Sequence, residues 1–493
     1  MASLNMPRAS DLLLGVSIFG EPIKTKIIDR ANSAMEELCR LGIAAGEPIW
    51  HKHKDRYEIL DDAEYLKAFG RVDSTLMDII RLAEVGELQA LPSFDSCRNM
   101  NPMSTNQCSG QGLQIEATRD MELINTSPVS VAELLMDVMT AEFHLPSPVI
   151  PTRECCFARY CKKFPYNRWA VVDVSLEDFF PCATSNLRKR PSGCVILPAD
   201  KGGTQVIWVE HVEADHSQLN DLFKPLVTSG LAFGAARWIA SIVRHFEWSE
   251  VLTATTLAAD AGVIIPQTGR TSFLKLADRM MRKFCANLSA TTSNPWMRLV
   301  PSHNSMDVRV MIDNNRNGGT NNPLGTSVVF STTIWFRVSP NRLFNFLRHE
   351  KSRNENSKDK TEIFYLQESY ADSSASYVIY APLDESALAY LAKGSNPDKV
   401  IAYPSGFAII PGGLHRNGDQ SNGNESLLTI SFHLLDKAIT NDGAIPPESV
   451  QTIYGILTDT VTAIKDALTY HTRHNNWAQD ELKNGLTNKN FSM

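Results

Sequence analysis

The feature that most constrains this chain is that it repeats itself. Ser127-Pro128 precedes an apolar stretch carrying Val131, Leu134 and Leu135, and Ser339-Pro340 precedes another carrying Leu343, Phe344, Phe346 and Leu347. In both, serine suits the capping position of a helix, and proline suits the first helical position, where no amide is needed. These two markers lie 212 residues apart. Trp169–Glu177 matches Tyr377–Glu385 in apolar pattern at an offset of 208, and Pro191–Pro198 matches Pro404–Pro411 at an offset of 213. Each match leads to a strand-like run and then to a long amphipathic helix. One helix aligns Leu231, Ala235, Trp238, Ile242 and Phe246 on a stripe; the other aligns Val450, Ile453, Leu457, Val461, Ile464 and Leu468. Three markers in one order at nearly one offset mean that a single α+β unit has been duplicated.

Runs rich in β-branched and aromatic residues, bounded by Gly, Pro, Asn or Ser, predict strands over 154–163, 169–175, 204–213, 325–336, 363–369, 377–382 and 427–435. An antiparallel sheet has one apolar face and a long helix one apolar stripe, so each needs the other. The expected architecture is α+β, with two units, each a curved antiparallel sheet around its long C-terminal helix. Such a grip either encloses an apolar cavity for a ligand or is filled by its own side chains. The punctuation divides the chain into an N-terminal helical lead-in (1–85), a polar linker (86–112), a first unit (113–250), a connecting helix and strand (251–325), a second unit (326–470) and a flexible tail (471–493). Within the lead-in, Ile27, Ile28, Ala31, Ala34, Met35, Leu38 and Leu41 recur at helical spacing.

Composition excludes several functions. The 493 residues are 43% hydrophobic and 21% charged, enough to bury two cores. A net charge of −7 argues against a chain whose main task is to grip phosphate backbones. No apolar run reaches the roughly 18 residues of a membrane span, and the N-terminus lacks the pattern of a secretory signal. The nine cysteines are odd in number and form no C-x-x-C, which fits a reducing compartment.

The chemical motifs are weak. His211-x-Glu213-x-x-His216 has metal-like residues, but at a strand end instead of on a helix face; His51-x-His53 lacks a third partner. Ser272-Phe-Leu-Lys275 matches S-x-x-K without its companion motifs, and Cys155 and Cys156 read as buried strand residues. No nucleophile, base and orienting group fall together, so the chain is not read as an enzyme, and it needs no cofactor or metal. The polar residues of interest are Arg159, Glu210, His211 and Arg237, which fall on the strands and helix that should face each other. Arg237 beside Trp238 could pair with Glu210, or a ligand head group could take the same place.

At this point a family resemblance is visible. The residues that carry it include Gly46-Glu-Pro-Ile-Trp50, Pro146–Glu154, Arg159-Tyr-Cys-Lys162, Trp169–Ser175, Arg190-Pro-Ser-Gly-Cys194, Trp208-Val-Glu-His211, Gly230–Trp238, Asp307–Met311, Leu366–Ser369 and Pro404-Ser-Gly-Phe407. Across most of 27–470 the chain resembles the region downstream of the zipper in plant class IV homeodomain-leucine zipper transcription factors, a START domain followed by a START-associated domain. The resemblance implies a helix-grip fold, a lipid or sterol-like ligand, dimers with itself or with family members, and a nuclear regulatory role. It implies a pocket lined by strands 155–161 and 204–211 and by the helix around 231–238, with Arg159, Trp208, Glu210, Leu231, Phe233, Arg237 and Trp238 as candidate lipid-binding residues. No homeodomain or heptad zipper matches within these residues, so no direct DNA contact is expected from this chain. Both units read as shortened after the Ser-Pro helix, at Val138–Met139 and Glu355–Asn356. The rival reading is an interaction protein that binds no ligand and pairs with full-length relatives.

Overall fold

The computed structural model describes residues 21–43, 48–53, 57–61, 63–65, 67–68, 113–136, 140–176, 186–254, 265–291, 294–299, 306–312, 326–349, 364–412, 425–436 and 445–487. It contains two units with one plan. The first runs α1 (Glu21–Ile43), β1 (Trp50–His53), β2 (Tyr57–Leu60), β3 (Gln114–Ile124), α2 (Pro128–Met136), β4 (Thr140–Phe143), β5 (Arg153–Phe164), β6 (Arg168–Ser175), β7 (Leu187–Lys189), β8 (Ser192–Pro198), β9 (Thr204–Ala214), the short α3 (Lys224–Thr228) and α4 (Ala235–Thr253). The second runs α5 (Gln267–Leu288), β10 (Met297–Leu299), β11 (Val308–Ile312), β12 (Thr326–Phe336), α6 (Pro340–Arg348), β13 (Phe364–Ala371), β14 (Ser376–Leu383), α7 (Glu385–Ala392), β15 (Ser405–Pro411), β16 (Ser426–Asp436) and α8 (Pro447–Thr487).

The first sheet has the order β1-β2-β3-β9-β8-β6-β5-β4, with β7 also on β9; the second has β10-β11-β12-β16-β15-β14-β13. The orders correspond strand for strand apart from β4 and β7. In each, two long strands pair along their whole length, Gln114–Ile124 with Thr204–Ala214 and Thr326–Phe336 with Ser426–Asp436.

Side chains alternate across a strand, so each sheet has two apolar faces to cover. On the first outer face, Met35, Leu38 and Leu41 of α1 pack on Val172, Val174, Val195, Ile207 and Val209. On its inner face, Ala235, Ile239 and Ile242 of α4 pack on Val171, Cys194, Ile196, Val206 and Trp208. The second sheet holds Leu276, Met280 and Phe284 of α5 outside. Inside, it holds Ile453, Leu457, Val461, Ile464 and Leu468 of α8.

The repeat is visible in details that pattern matching does not reach. Gly193 and Gly406 of the two Pro-Ser-Gly motifs have φ of 141° and 158°. A Cβ there would stand 2.0 Å from the Val171 carbonyl oxygen and 2.3 Å from that of Val378, so the neighbouring strand can approach only a glycine. The adjoining Ser192 and Ser405 hydroxyls accept from the His211 and His433 amides at 2.8 and 3.0 Å. The Trp50 and Trp296 indoles close the C-termini of α1 and α5, donating to the carbonyls of Leu41 (2.9 Å) and Ser289 (3.0 Å).

Three sequence expectations change. Helix α1 with β1 and β2, placed in the lead-in, and α5 with β10 and β11, placed in the connecting region, are the equivalent opening segments of the two units, because their strands pair into the two sheets. The offset of 208 aligns Trp169 with Tyr377, yet the ladders pair Val172 with Gly193 and Ile379 with Gly406, an offset of 207. That one-residue slip exchanges the faces of the strand. Helix α8 continues to Thr487 through the span read as a flexible tail, since no proline interrupts it. The linker at 86–112 and the junctions Val138–Met139 and Glu355–Asn356 lie outside the described residues. The first sheet runs unbroken from β1 to β4, and β4 begins at Thr140, soon after α2 ends at Met136.

The units meet along a built seam. Leu145, Ile150, Phe223, Leu226, Val227, Leu231 and Ala232 of the first bury Ile410 and Leu427 of the second. Arg309 donates to the Pro148 carbonyl at 2.6 Å, and the Ser147 and Thr333 hydroxyls meet at 3.1 Å.

Candidate functional site

Alternation on β5, β6 and β9 turns Arg159, Asp173, Trp208 and Glu210 toward the inner face, beneath α4. Lys189 of β7 joins them. The side chains of Asp173 and Lys189 are 0% exposed, that of Arg159 2% and that of Glu210 5%. They form a ladder of alternating charge. Arg159 donates to both Asp173 oxygens at 2.6 and 2.8 Å. Lys189 Nζ donates to Asp173 Oδ2 at 3.1 Å and to Glu210 at 2.9 and 3.2 Å. Trp208 Nε1 completes Glu210 at 2.9 Å. Arg159 also reaches the Leu135 carbonyl in the last turn of α2 at 3.1 Å, satisfying one orphan acceptor of that helix.

Aromatic rings close over the ladder. Trp238 of α4 stacks on Trp208 with centroids 4.2 Å apart. The Lys189 ammonium lies 5.2 Å from the ring centres of Phe143, Phe157 and Trp238. Burial alone would raise the Asp173 carboxyl, yet Lys189 and Arg159 outweigh it and hold it below its usual range. Burial alone would lower the Lys189 ammonium, and Glu210 and Asp173 outweigh it and hold it high. Two basic and two acidic side chains thus alternate within one buried network.

The second unit is an internal control. Register equivalence places Tyr380 opposite Ser405 where Asp173 stands opposite Ser192, and Gln367 opposite Tyr380 where Arg159 stands opposite Asp173. Phe432 and Ile430 take the places of Glu210 and Trp208. Gln367 still donates to the last turn of its Ser-Pro helix, at the Arg348 carbonyl, 3.1 Å. The helix-closing contact is kept, while the ladder is replaced by aromatic and aliphatic residues.

Of the seven residues expected around a ligand, the structure brings Arg159, Trp208, Glu210 and Trp238 together. Leu231 lies in the seam between the units, before α4 begins. Phe233 covers the Arg153 guanidinium at 4.3 Å, and Arg153 is paired with Glu116 at 2.6 and 2.8 Å. Arg237 turns away from Glu210 and donates to the Tyr377 hydroxyl of the second unit at 3.3 Å. It is one helical position from Trp238, which puts it on a different face of α4. Asp173 and Lys189 escaped the sequence reading. Asp173 lies within the predicted strand 169–175, and Lys189 lies in the basic triplet Arg188-Lys189-Arg190, outside every predicted strand. An isolated acid inside the apolar run WAVVDVS was the available signal.

The glycines of Gly230–Gly234 have a local cause: a Cβ on either would press on Thr118, at 2.4 and 2.7 Å. Thr118 Oγ1 in turn accepts from the Ala235 amide at 2.8 Å and so starts α4. The metal-like triad does not converge. His211 meets the Tyr65 ring edge, Glu213 pairs with Arg190 at 2.6 Å, and His216 pairs with Glu116 at 2.6 Å. Ser272 Oγ donates to the carbonyls of Thr268 and Ser395. Among the described residues, no helix is long and apolar enough to cross a membrane.

Residues 124–248 match the START domain family, and residues 266–357 and 354–470 match the PDF2-like, C-terminal domain family. The chain is 30% identical to homeobox-leucine zipper protein HDG12 of Arabidopsis thaliana over 497 residues, 92% of this chain and 70% of that protein. It is 29% identical to homeobox-leucine zipper protein ANTHOCYANINLESS 2 of Arabidopsis thaliana, covering 90% of this chain and 60% of that protein. It is 34% identical to homeobox-leucine zipper protein ROC4 of Oryza sativa subsp. japonica, covering 90% and 62%. The chain thus spans about 60% of the length of ANTHOCYANINLESS 2 and ROC4. Among solved structures it is similar to human StAR-related lipid transfer protein 5, at 12% identity and a TM-score of 0.21, covering 37% of this chain and 99% of that one.

Proposed function

The chain belongs to the class IV homeobox-leucine zipper family, and on that premise we propose that it is a START-type regulatory region whose first unit binds an apolar lipid or sterol-like ligand under α4. The observation that carries this reading is the ladder Arg159–Asp173–Lys189–Glu210. Burying four charges contributes little net stability, and apolar residues of similar volume serve a core as well or better. The second unit holds the same grip with Gln367, Tyr380 and Phe432 in the equivalent places. A ladder that the fold does not need is therefore assigned to recognition: Arg159, Glu210 and Trp208 orient a polar head, and the Trp208–Trp238 stack packs its apolar body. The ligand adjusts a nuclear transcription factor that works as a dimer, and these residues reach its targets through ligand and protein contacts.

The second reading, an interaction module without ligand, is favoured by one observation: the ladder satisfies itself, and so needs no guest. One experiment separates the two. Native mass spectrometry of the purified chain, followed by thermal-shift assays with sterols, ceramides and phospholipids, is expected to reveal a bound lipid and a stabilising class. No co-purifying lipid and no shift across the panel would refute the lipid reading and leave the second.

A further inference from the structure

The hairpin between β5 and β6 carries chemistry that neither the core nor the ladder uses. Residues 160–172 hold Lys162, Lys163 and Arg168 and no acid. They also hold Phe164, Tyr166 and Trp169. The rings hold the cations in place: Lys163 lies 5.2 Å from the Trp169 ring centre, Lys162 lies 5.5 Å from Phe164, and Arg168 lies 5.9 Å from Tyr166. Arg168 Nε also donates to the Pro165 carbonyl at 3.2 Å, which ties the loop. At the tip, Tyr166 and Asn167 have φ of 61° and 55°. The left-handed conformation is costly for an aromatic residue, and strain of this kind collects at functional positions. Its effect here is to leave Tyr166 85% exposed. Glu36 of α1 acts together with Lys162 and Arg168 on the Cys39 thiol, so an acid of the outer helix lies near the base of the hairpin.

The base of this finger belongs to the grip. Trp169 packs with Cys161, Val243 and Phe246 against the inner-face core under α4, and its indole Nε1 is buried without a partner among the described residues. A tight loop thus presents one tyrosine and three cations to solvent, and behind it an unpaired donor faces the apolar interior.

We propose that this hairpin tip, Lys162–Trp169, docks the first unit on an anionic lipid bilayer. Basic side chains with long apolar stems, next to tyrosine and tryptophan, are the residues that settle at a membrane–water interface. Double-stranded DNA fits less well. Its base faces are stacked and closed to Tyr166, and a net charge of −7 opposes a phosphate backbone met by only three cations. The bilayer is also where an apolar guest for the grip would be found. That link rests on the lipid reading above, but docking itself does not.

The test uses the full chain and sedimentation with phosphatidylcholine vesicles, with and without about 30% phosphatidylserine. At roughly the strength of one surface-attracted charge per Lys or Arg, Lys162→Gln/Lys163→Gln/Arg168→Gln should lower partitioning onto the anionic vesicles about a hundredfold. Tyr166→Ala, which keeps the cations, should lower it less, and raised salt should mimic the triple variant. These positions are exposed, so an unchanged melting curve is expected. Native mass spectrometry on the triple variant reads grip occupancy separately. Loss of vesicle binding with lipid retained supports docking, and docking on vesicles by a chain with an empty grip would still support it. Equal partitioning onto neutral and anionic vesicles, an undiminished triple variant, or a triple variant that loses duplex-DNA affinity and not vesicle affinity would each overturn the proposal.

Discussion

Lys189→Met is the sharpest test of the ladder. The ammonium is fully buried between Asp173 at 3.1 Å and Glu210 at 2.9 Å. At an effective dielectric of about 20, these two contacts amount to ~11 kcal/mol of gross attraction. Desolvating the ammonium offsets several kcal/mol of that, and removing one partner of a buried pair typically costs about 3–5 kcal/mol net. Arg159 still serves Asp173 and Trp208 still serves Glu210, so the lower half of that range is expected. The pH dependence carries the sign. The folded Asp173 carboxyl is held below the ordinary value of 3.8. Its stabilisation is complete above that value and is lost as pH falls through the folded pKa. The gap between wild type and Lys189→Met is therefore widest near neutrality and narrows in acid. Urea unfolding monitored by tryptophan fluorescence, at neutral and acid pH, measures both. A second arm installs the residues of the other unit: Arg159→Gln, Asp173→Tyr, Trp208→Ile and Glu210→Phe together with Lys189→Met. That chain is expected to fold within about 2 kcal/mol of wild type, because apolar replacement of a complete buried network is nearly neutral, and to lose ligand. A Lys189→Met variant within about 1 kcal/mol of wild type, or a gap that ignores pH, would refute the reasoning.

Gly193→Ala and Gly406→Ala should each destabilise their own unit by roughly 3 kcal/mol, since both glycines have positive φ and lie against a neighbouring carbonyl; denaturant midpoints measure it. His211 is held well below the ordinary value of 6.5, by burial first and then by Arg190. The wild-type chain should therefore lose up to about 1.4 kcal/mol per pH unit as pH falls below 6.5, and His211→Phe should flatten that slope. Ile410→Ala removes a fully buried side chain from the seam. It should cost about 2–5 kcal/mol and separate the melting of the two units in calorimetry.

Most of the fold was legible because it was written twice. The Ser-Pro helices, the Pro-Ser-Gly strands and the closing helix stripes each gave a period that one unit alone would have left ambiguous. What escaped was short or paired over long range. Strands β1, β2, β10 and β11 have three to five residues each, too few to show a period, and they join sheets whose other strands lie elsewhere in the chain. The site was half legible. Arg159, Trp208, Glu210 and Trp238 lie on elements whose inward face follows from alternation. Leu231, Phe233 and Arg237 share the segment around the start of α4 but turn to the seam, to Arg153 and to Tyr377, and no periodicity in α4 itself announces the second unit beside it. Nothing in the triplet Arg188-Lys189-Arg190 itself singles out Lys189, since a run of basic residues ordinarily faces solvent. Strand β7 pairs with β9 and carries the middle residue of the three, Lys189, to the interior, while Arg190 goes to Glu213.

The duplication also separates what the grip requires from what the first unit adds. The proline-started helix, the glycine under its neighbouring strand, the serine that receives a histidine amide and the tryptophan that closes the outer helix stand in both units. Each satisfies a backbone group or a steric demand that any chain in this topology must meet. Apart from the Arg159 contact to the Leu135 carbonyl, which Gln367 repeats at Arg348, the charges under α4 answer no such demand, since β13, β14 and β16 close the same space with Gln367, Tyr380 and Phe432. The seam shows the same logic. Arg237 reaches Tyr377, and Arg244 lies 4.2 Å over the Tyr370 ring, so one side of α4 covers the ladder while another bears on the second sheet. On the proposed lipid reading, a guest that displaced Trp238 would press on a helix that contacts both units, so the contacts of Arg237 and Arg244 would be its route to the second sheet.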